Sequence, residues 1–345
     1  MSLDELVGTV VGHAAATFSG VLVRLGDELG LWRALAGAGP TTAEQLADRA
    51  GIDPRYAAEW LAGVAAAGYV DYADGTFTLT EDQATVFADD TSPVFLTGLY
   101  QVIASTYADL PKLVAEYRGG HGFGWHQHHT DLFTGTERFF RPGYAANLTS
   151  TWLPALDGVV DRLTASATVA DIGCGHGTST VVMAQAYPRS TFAGFDNHPA
   201  SIARAAELAA EAGVSDRVSY AVAAADDFGG GPYDLICLFD SLHDMGDPIG
   251  VLAHIRARLA PDGAVMLVEP NAADNLADNL NPVGQIFYAA SATICVPGGK
   301  AQVPGEPLGA QAGQARTFQV AEKAGFTRLR RATDNPFNVV YELRP

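Results

Sequence analysis

The spacing of apolar positions changes character twice along the chain. From Val7 to Leu35 apolar residues recur at helical spacing, richer in Val, Leu and Ala than one small core needs. Residues 41 to 80 then read as helix, helix, hairpin. Thr41 with Glu44 predicts a capping box for a helix through Leu46 and Ala50, which Gly51 ends. Asp53 as N-cap and Pro54 in the first turn predict a second helix to about Ala67. Residues 68–72 and 76–80 alternate as strands, and Asp74-Gly75 between them is a strong hairpin signal.

Residues 96 to 165 read as helices interrupted by a loop. Its breaker cluster runs from Gly119 to Gly124, followed by Trp125, His126, Gln127, His128, His129 and Asp131. The histidines sit too close together for a standard zinc set, and no second cluster completes one. A polar loop or the wall of a substrate cavity are the favoured readings, with a metal cluster as the alternative. From Thr168 the period alternates between strand and helix. Strands are expected near 168–172, 191–196, 217–222, 233–239, 264–269, 326–332 and 337–343. Helices are expected over Ser179 to Tyr187, Pro199 to Ala212 and Pro248 to Leu259. This pattern predicts an α/β fold, a Rossmann-like doubly wound parallel sheet. The last two strands lack a helix between them and are expected to pair antiparallel at the sheet end.

Helix-turn-helix followed by a hairpin predicts a mostly helical winged-helix domain. Charge bears on what that domain does. Residues 1–90 hold four arginines, no lysine and fourteen acids, a surface that repels phosphates. The whole chain has 345 residues and a net charge of −18, which argues against nucleic acid and anionic membranes as partners. Three isolated cysteines, Cys174, Cys237 and Cys295, predict neither a disulfide framework nor a metal site. The N-terminus lacks a basic-then-apolar signal pattern, and no unbroken run of about 18 apolar residues predicts a membrane span. A cytoplasmic location is the simplest expectation. The expected division is a winged-helix or dimerisation domain over 1–95, a helical connector and lid over 96–160, and a cofactor domain over 161–345.

In an open α/β sheet, ligands bind beyond the carboxyl ends of the strands. The first such end reads Val169-Ala170-Asp171-Ile172-Gly173-Cys174-Gly175-His176-Gly177. A nicotinamide fingerprint needs G-x-G-x-x-G, but Thr178 occupies the sixth position. The second end carries Asp196 and Asn197, placed to meet ribose hydroxyls or to cap the next helix. The third runs Ala223, Ala224, Ala225, Asp226, Asp227, Phe228, where an adenine would lie. The fourth gives Phe239, Asp240, Ser241, Leu242, His243 and Asp244, and the fifth Val268, Glu269 and Pro270. A packed sheet alone does not require acids and histidine at so many neighbouring ends.

Residues 169 to 270 resemble the core of class I S-adenosylmethionine (SAM)-dependent methyltransferases. Asp171 to Gly177 matches the first motif, Asp196 the ribose acid, Tyr233 to Ile236 the fourth strand, and Leu259-Ala260-Pro261-Asp262-Gly263 the L-x-P-x-G turn. The order of winged helix, helical connector and core resembles small-molecule O-methyltransferases and actinobacterial methyltransferases of uncharacterised substrate. The resemblance implies SAM as cofactor, bound by Asp171, Gly173, Gly175, Gly177, Asp196, Asn197, Ala224, Ala225, Asp226, Phe228, Phe239 and Asp240. It implies His243 as general base, Glu269 as the acid that orients it, and a homodimer joined by the N-terminal domain. Two positions depart from the pattern. Ala224 stands where an acid usually meets the adenine amino group, and Met245-Gly246 follows His-Asp where Trp is common.

A neutral imidazole with an ordinary pKa near 6.5 can take the proton that an acceptor oxygen sheds. The acceptor cavity is expected near Trp125, His126, Tyr144, Asn279 and Tyr288, with 274–288 and 295–313 lining it. No metal is expected. Metal-assisted methylation at carbon would make His243 a ligand, yet no histidine follows Tyr288 to be a second one. The same residues also admit a winged-helix regulator that senses SAM without turnover, or a SAM-dependent lyase or cyclase.

Overall fold

Strands form close to the alternating and apolar runs, although the first lies over Asp71–Ala73 in place of 68–72 and the run expected at 264–269 extends over Leu259–Pro270. In this computed structural model, which describes residues 1–345, β1 (Asp71–Ala73) and β2 (Thr76–Thr78) pair antiparallel across Asp74-Gly75. Both turn residues have positive φ, 48° and 84°, as a tight hairpin turn requires. The remaining strands are β3 (Thr168–Ile172), β4 (Thr191–Asp196), β5 (Val218–Val222), β6 (Tyr233–Phe239), β7 (Leu259–Pro270), β8 (Arg328–Asp334) and β9 (Asn338–Arg344). They make one seven-stranded sheet in the order β5-β4-β3-β6-β7-β9-β8. The last two pair antiparallel as expected, and β9 also runs antiparallel to β7, inserted between it and β8.

The chain divides into two compact units. One comprises Met1–Ser105 with Thr134–Gly143, the other Thr106–Phe133 with Tyr144–Pro345. The first holds the helices Leu3–Glu28, Leu31–Leu35, Ala43–Ala50 and Pro54–Ala66, then the hairpin and Glu81–Phe87. Its core stacks Trp32 on Phe87 at 4.5 Å and sets Trp60 edge-on at 4.8 Å. Arg138 explains why 134–143 belongs here. It forks onto Asp27 through two hydrogen bonds of 2.6 and 2.7 Å.

Three expectations need correction in this unit. The capping box falls one residue later, on Thr42 and Gln45, because Thr41 exchanges both backbone hydrogen bonds with Phe77 in an isolated antiparallel bridge beside the two-stranded wing. The helical run to Leu35 breaks at Gly30, whose φ of 68° no continuing helix accommodates. Leu3–Glu28 is also long and apolar enough to cross a membrane, with mean hydropathy 1.7 over its best window and few of those residues buried. It does not stand out as an unbroken apolar run. Small residues such as Gly8, Thr9, Gly12 and Ala14 interrupt the pattern while costing little in hydropathy.

In the second unit the sheet order reverses between β3 and β6. The chain winds outward through β4 and β5, then returns to lay β6 against the other side of β3. Such a switch point opens a crevice at the carboxyl ends of the strands. Ile172, Leu238, Leu252, Val265 and Leu267 form the fully buried core beneath it.

Candidate active site

The crevice is floored by the glycine turn after β3. Gly173, Gly175 and Gly177 have φ of 71°, 53° and 76°, left-handed values that side chains resist. Their surroundings differ. A Cβ on Gly177 would fall 2.4 Å from the Tyr220 hydroxyl, so this glycine serves close packing between turn and strand. A Cβ on Gly175 would meet nothing within 4 Å, so this glycine faces open space. Asp196 pins the turn: its Oδ2 accepts from Gly175 N–H at 2.9 Å and its Oδ1 from His198 N–H at 2.8 Å. Helix Thr178–Ala186 starts at Gly177 and offers its N-terminus to an anionic group.

Carboxylates gather around this turn. Asp171 Oδ2 accepts from the Ser179 and Thr180 hydroxyls at 2.7 and 2.6 Å, whereas its Oδ1 is buried without a partner. Burial pushes its carboxyl up to about 6, against those two hydrogen bonds. Burial also raises Asp196. Asp240, at the end of β6, has φ 49°, an uncommon conformation for a non-glycine residue. Asn338 Nδ2 donates to both its oxygens at 2.9 and 3.0 Å, yet burial and the nearby Glu269 push it up to about 8.

His243 lies in the turn Leu242–Asp244, buried at 4% exposure. Glu269, at the end of β7, grips that turn twice. Its Oε1 accepts from Leu242 N–H at 3.1 Å and its Oε2 meets His243 Nδ1 at 2.5 Å. On the other edge of the ring, Asp244 Oδ1 sits 3.1 Å from Nε2 as an ion pair, without hydrogen-bond alignment. Burial pushes the imidazole pKa down, but Glu269 and Asp244 outweigh it and hold it well above 6.5. The expected orienting acid and base therefore meet. Cys295 stands in the region where no histidine follows Tyr288. Its sulfur and donor atoms of His243 and Asp244 lie within 4.8 Å of one another. Burial pushes this thiol up to about 12, so it is a neutral neighbour of the pair.

The remaining expected residues fall in different places. Phe239 is buried, and Tyr144 tilts against it at 5.2 Å. Phe228 packs in the core between Phe195 and Tyr233. Asn197, Ala224 and Asp226 are exposed beyond β4 and β5, and Ala225 is half-buried. Asn279 is buried, but its amide is engaged by Ala273 and Asn275, where it staples a loop. Trp125 and Tyr288 are half-buried and His126 is exposed. Sequence reasoning missed Asn338, which holds Asp240 from 98 residues away, and Asp109, which holds His128. Neither partner lies within any local spacing that a motif could reveal.

Residues 144–300 match a family described as methyltransferase domain, and residues 16–88 a Rv2258c-like winged HTH domain. The chain thus has the class I SAM-dependent methyltransferase fold, with a winged-helix domain at its N-terminus. Among curated proteins it is similar to trans-aconitate 2-methyltransferase of Streptomyces avermitilis, 33% identical over 110 residues. That match covers 32% of this chain and 41% of that protein, so the chain matches well under half the length of this relative. Among solved structures it resembles the mitomycin 7-O-methyltransferase MmcR, with TM-score 0.71 and 20% identity over 99% of this chain and 98% of that one. Human N-acetylserotonin methyltransferase, solved in complex with SAM, gives TM-score 0.72 and 16% identity over 99% and 98% of the two chains. At identities this low, the structural likeness shows the shared fold alone.

SAM is the cofactor of this class, and the crevice fits it. SAM carries two positive centres, a sulfonium and an ammonium. The crevice presents an unpartnered buried oxygen on Asp171 and further half-buried acids at Asp196 and Asp240. It also presents a glycine with open space before it at Gly175. Acids taken out of water without a cation are costly, and the sulfonium and ammonium of SAM relieve that cost.

Proposed function

We propose that this chain transfers a methyl group from SAM to an oxygen of a small-molecule acceptor, with His243 as general base. Bound SAM supplies an electrophilic methyl on a sulfonium. Gly173, Gly175, Gly177 and Asp196 hold it at the β3–β4 end, with Asp171 and Asp240 facing its charge. Asn197, Ala224, Ala225 and Asp226 remain the candidates for the nucleoside end, and Phe228 supports that wall from the core. His243 Nε2 receives the proton that the acceptor hydroxyl sheds, and Glu269 on Nδ1 fixes the ring and stabilises the imidazolium that results. Trp125, Tyr144 and Tyr288 are the aromatic candidates for the acceptor wall. His126 and Asn279 are weaker ones, the first exposed and the second held by its own loop.

One observation carries this reading. The strand end that neighbours the glycine turn presents an imidazole clamped at Nδ1 by a buried carboxylate. The test is His243→Ala, assayed by S-adenosylhomocysteine release with a turned-over acceptor. A general base contributes roughly 10²–10⁴-fold. A loss below about tenfold removes His243 from that role.

The exposed apolar stripe of Leu3–Glu28, with Val7, Val10, Val11, Phe18 and Val21 at its surface, supports a homodimer in which a second copy covers it. The acidic winged-helix domain supports an architectural role there in place of DNA binding.

A further inference from the structure

A second imidazole beside the site is held as His243 is held, and the mechanism above does not use it. His128 and Asp109 have side chains only 2% and 3% exposed, and His128 Nδ1 lies 3.0 Å from Asp109 Oδ2. The same oxygen accepts from His129 N–H at 2.9 Å, and Lys112 Nζ donates to the other at 2.7 Å. The ring is wedged against Phe123 at 4.3 Å and edge-on to Trp125 at 6.1 Å. Its Nε2 is buried and has no partner. A buried polar atom left without a partner is costly, so its persistence calls for an occupant.

The location points to the acceptor. Phe123 N–H donates to Pro297 O at 3.2 Å, and a Cβ on Gly122 would fall 2.3 Å from that same oxygen. The histidine loop is thus strapped to helix Val296–Lys300, which follows Cys295 directly. That helix also carries Gly299, where a Cβ would fall 2.8 Å from the backbone oxygen of Asp244. Asp244 is near enough to act electrostatically on His128. Its own Oδ1 also lacks an aligned donor. Two imidazoles, each clamped at Nδ1 by a buried carboxylate, therefore both feel the charge of Asp244, one as an ion pair and one through space.

Chemistry fixes what His128 can bind. Asp109 is held below the usual carboxylate range by Lys112 and the His129 and His128 donors against its burial, so Nδ1 carries the proton and donates. Burial keeps the ring neutral. Nε2 then offers a lone pair and accepts. We infer that His128, oriented by Asp109, accepts a hydrogen bond from a second hydroxyl or N–H group of the acceptor, distinct from the oxygen that surrenders its proton to His243. The substrate class is narrowed to small acceptors with two polar hydrogens. The inference rests on the methyltransferase reading for the location of the acceptor, but its test reads binding and not turnover.

The full chain loaded with S-adenosylhomocysteine is titrated calorimetrically with catechol and with phenol. Wild type is expected to bind catechol about tenfold more tightly than phenol, as one hydrogen bond to a buried acceptor allows. His128→Leu is expected to erase that preference with phenol affinity kept. His128→Gln, which restores an acceptor oxygen, is expected to recover part of it. Retained S-adenosylhomocysteine affinity shows that each variant is folded. Should His128→Leu fail that control, the comparison passes to Asp109→Asn, which frees the ring and is expected to weaken the preference. Equal affinity for the two probes in wild type, including no measurable affinity for either, overturns the inference. So does a preference that His128→Leu leaves intact. A failed base role for His243 would leave these binding ratios unchanged, so the two failures are separable.

Discussion

His243 sits between two carboxylates, and that placement sets when it can act. A protonated imidazole cannot take a proton, so turnover must rise with pH through the raised pKa of His243. The acid limb of the kcat profile is therefore expected above 6.5. Glu269→Gln removes one of the charges that hold the pKa up. It is expected to move that limb to lower pH while lowering kcat by about tenfold or more, because the ring loses its clamp. A limb below 6.5 in wild type, or one that Glu269→Gln leaves in place, contradicts the arrangement. At this scale the sequence was partly legible. His243, Asp244 and Glu269 stand at strand ends, where an apolar run stops on a polar residue. Asp109 with His128, and Asp240 with Asn338, were invisible, because each pair joins elements through tertiary packing alone.

The elements around β3 collect acids whose carboxyls are pushed up by burial. Folding holds the proton on Asp240 up to about 8 and on Asp171 up to about 6, while an unfolded chain releases it near 4. The folded state thus binds more protons than the unfolded one across that window. Without ligand, stability is expected to fall as pH rises from about 4 through 8. SAM opposes this, since its permanent sulfonium charge favours the ionised acids. The rise in melting temperature on adding SAM is expected to be larger at about pH 7.5 than at about pH 5, a range over which the ammonium of SAM stays largely charged. A rise that is equal or smaller at the higher pH would show that these carboxyls do not face the cofactor. Elements were the most legible scale. β3, β4 and β6 fall on their expected bounds, because buried parallel strands are short apolar runs ended by Gly or Asp. β7 begins five residues early at Leu259, where the 259–263 turn joins the ladder beside Tyr233.

The molecule as a whole joins an acidic winged-helix unit to a sheet-centred unit in one chain. Its long first helix shows the limit of reading by runs: helical spacing reveals its apolar positions, but its capacity to cross a membrane appears only when hydropathy is averaged over its length. If a second copy covers that stripe, light scattering returns twice the chain mass of 36.1 kDa, and Val10→Glu with Phe18→Glu brings it to one. A wild-type value of one chain mass removes the dimer. The central claim is that the crevice at the β3–β6 switch point consumes SAM to methylate a small molecule at oxygen. It is tested most directly by incubating the full chain with SAM and a pool of small metabolites, then following S-adenosylhomocysteine and new methyl ethers or esters by mass spectrometry. The account predicts S-adenosylhomocysteine and one O-methylated product in equal amounts, both greatly reduced with His243→Ala. SAM that binds but is never consumed with any pool, or a product methylated at carbon or nitrogen, would contradict it.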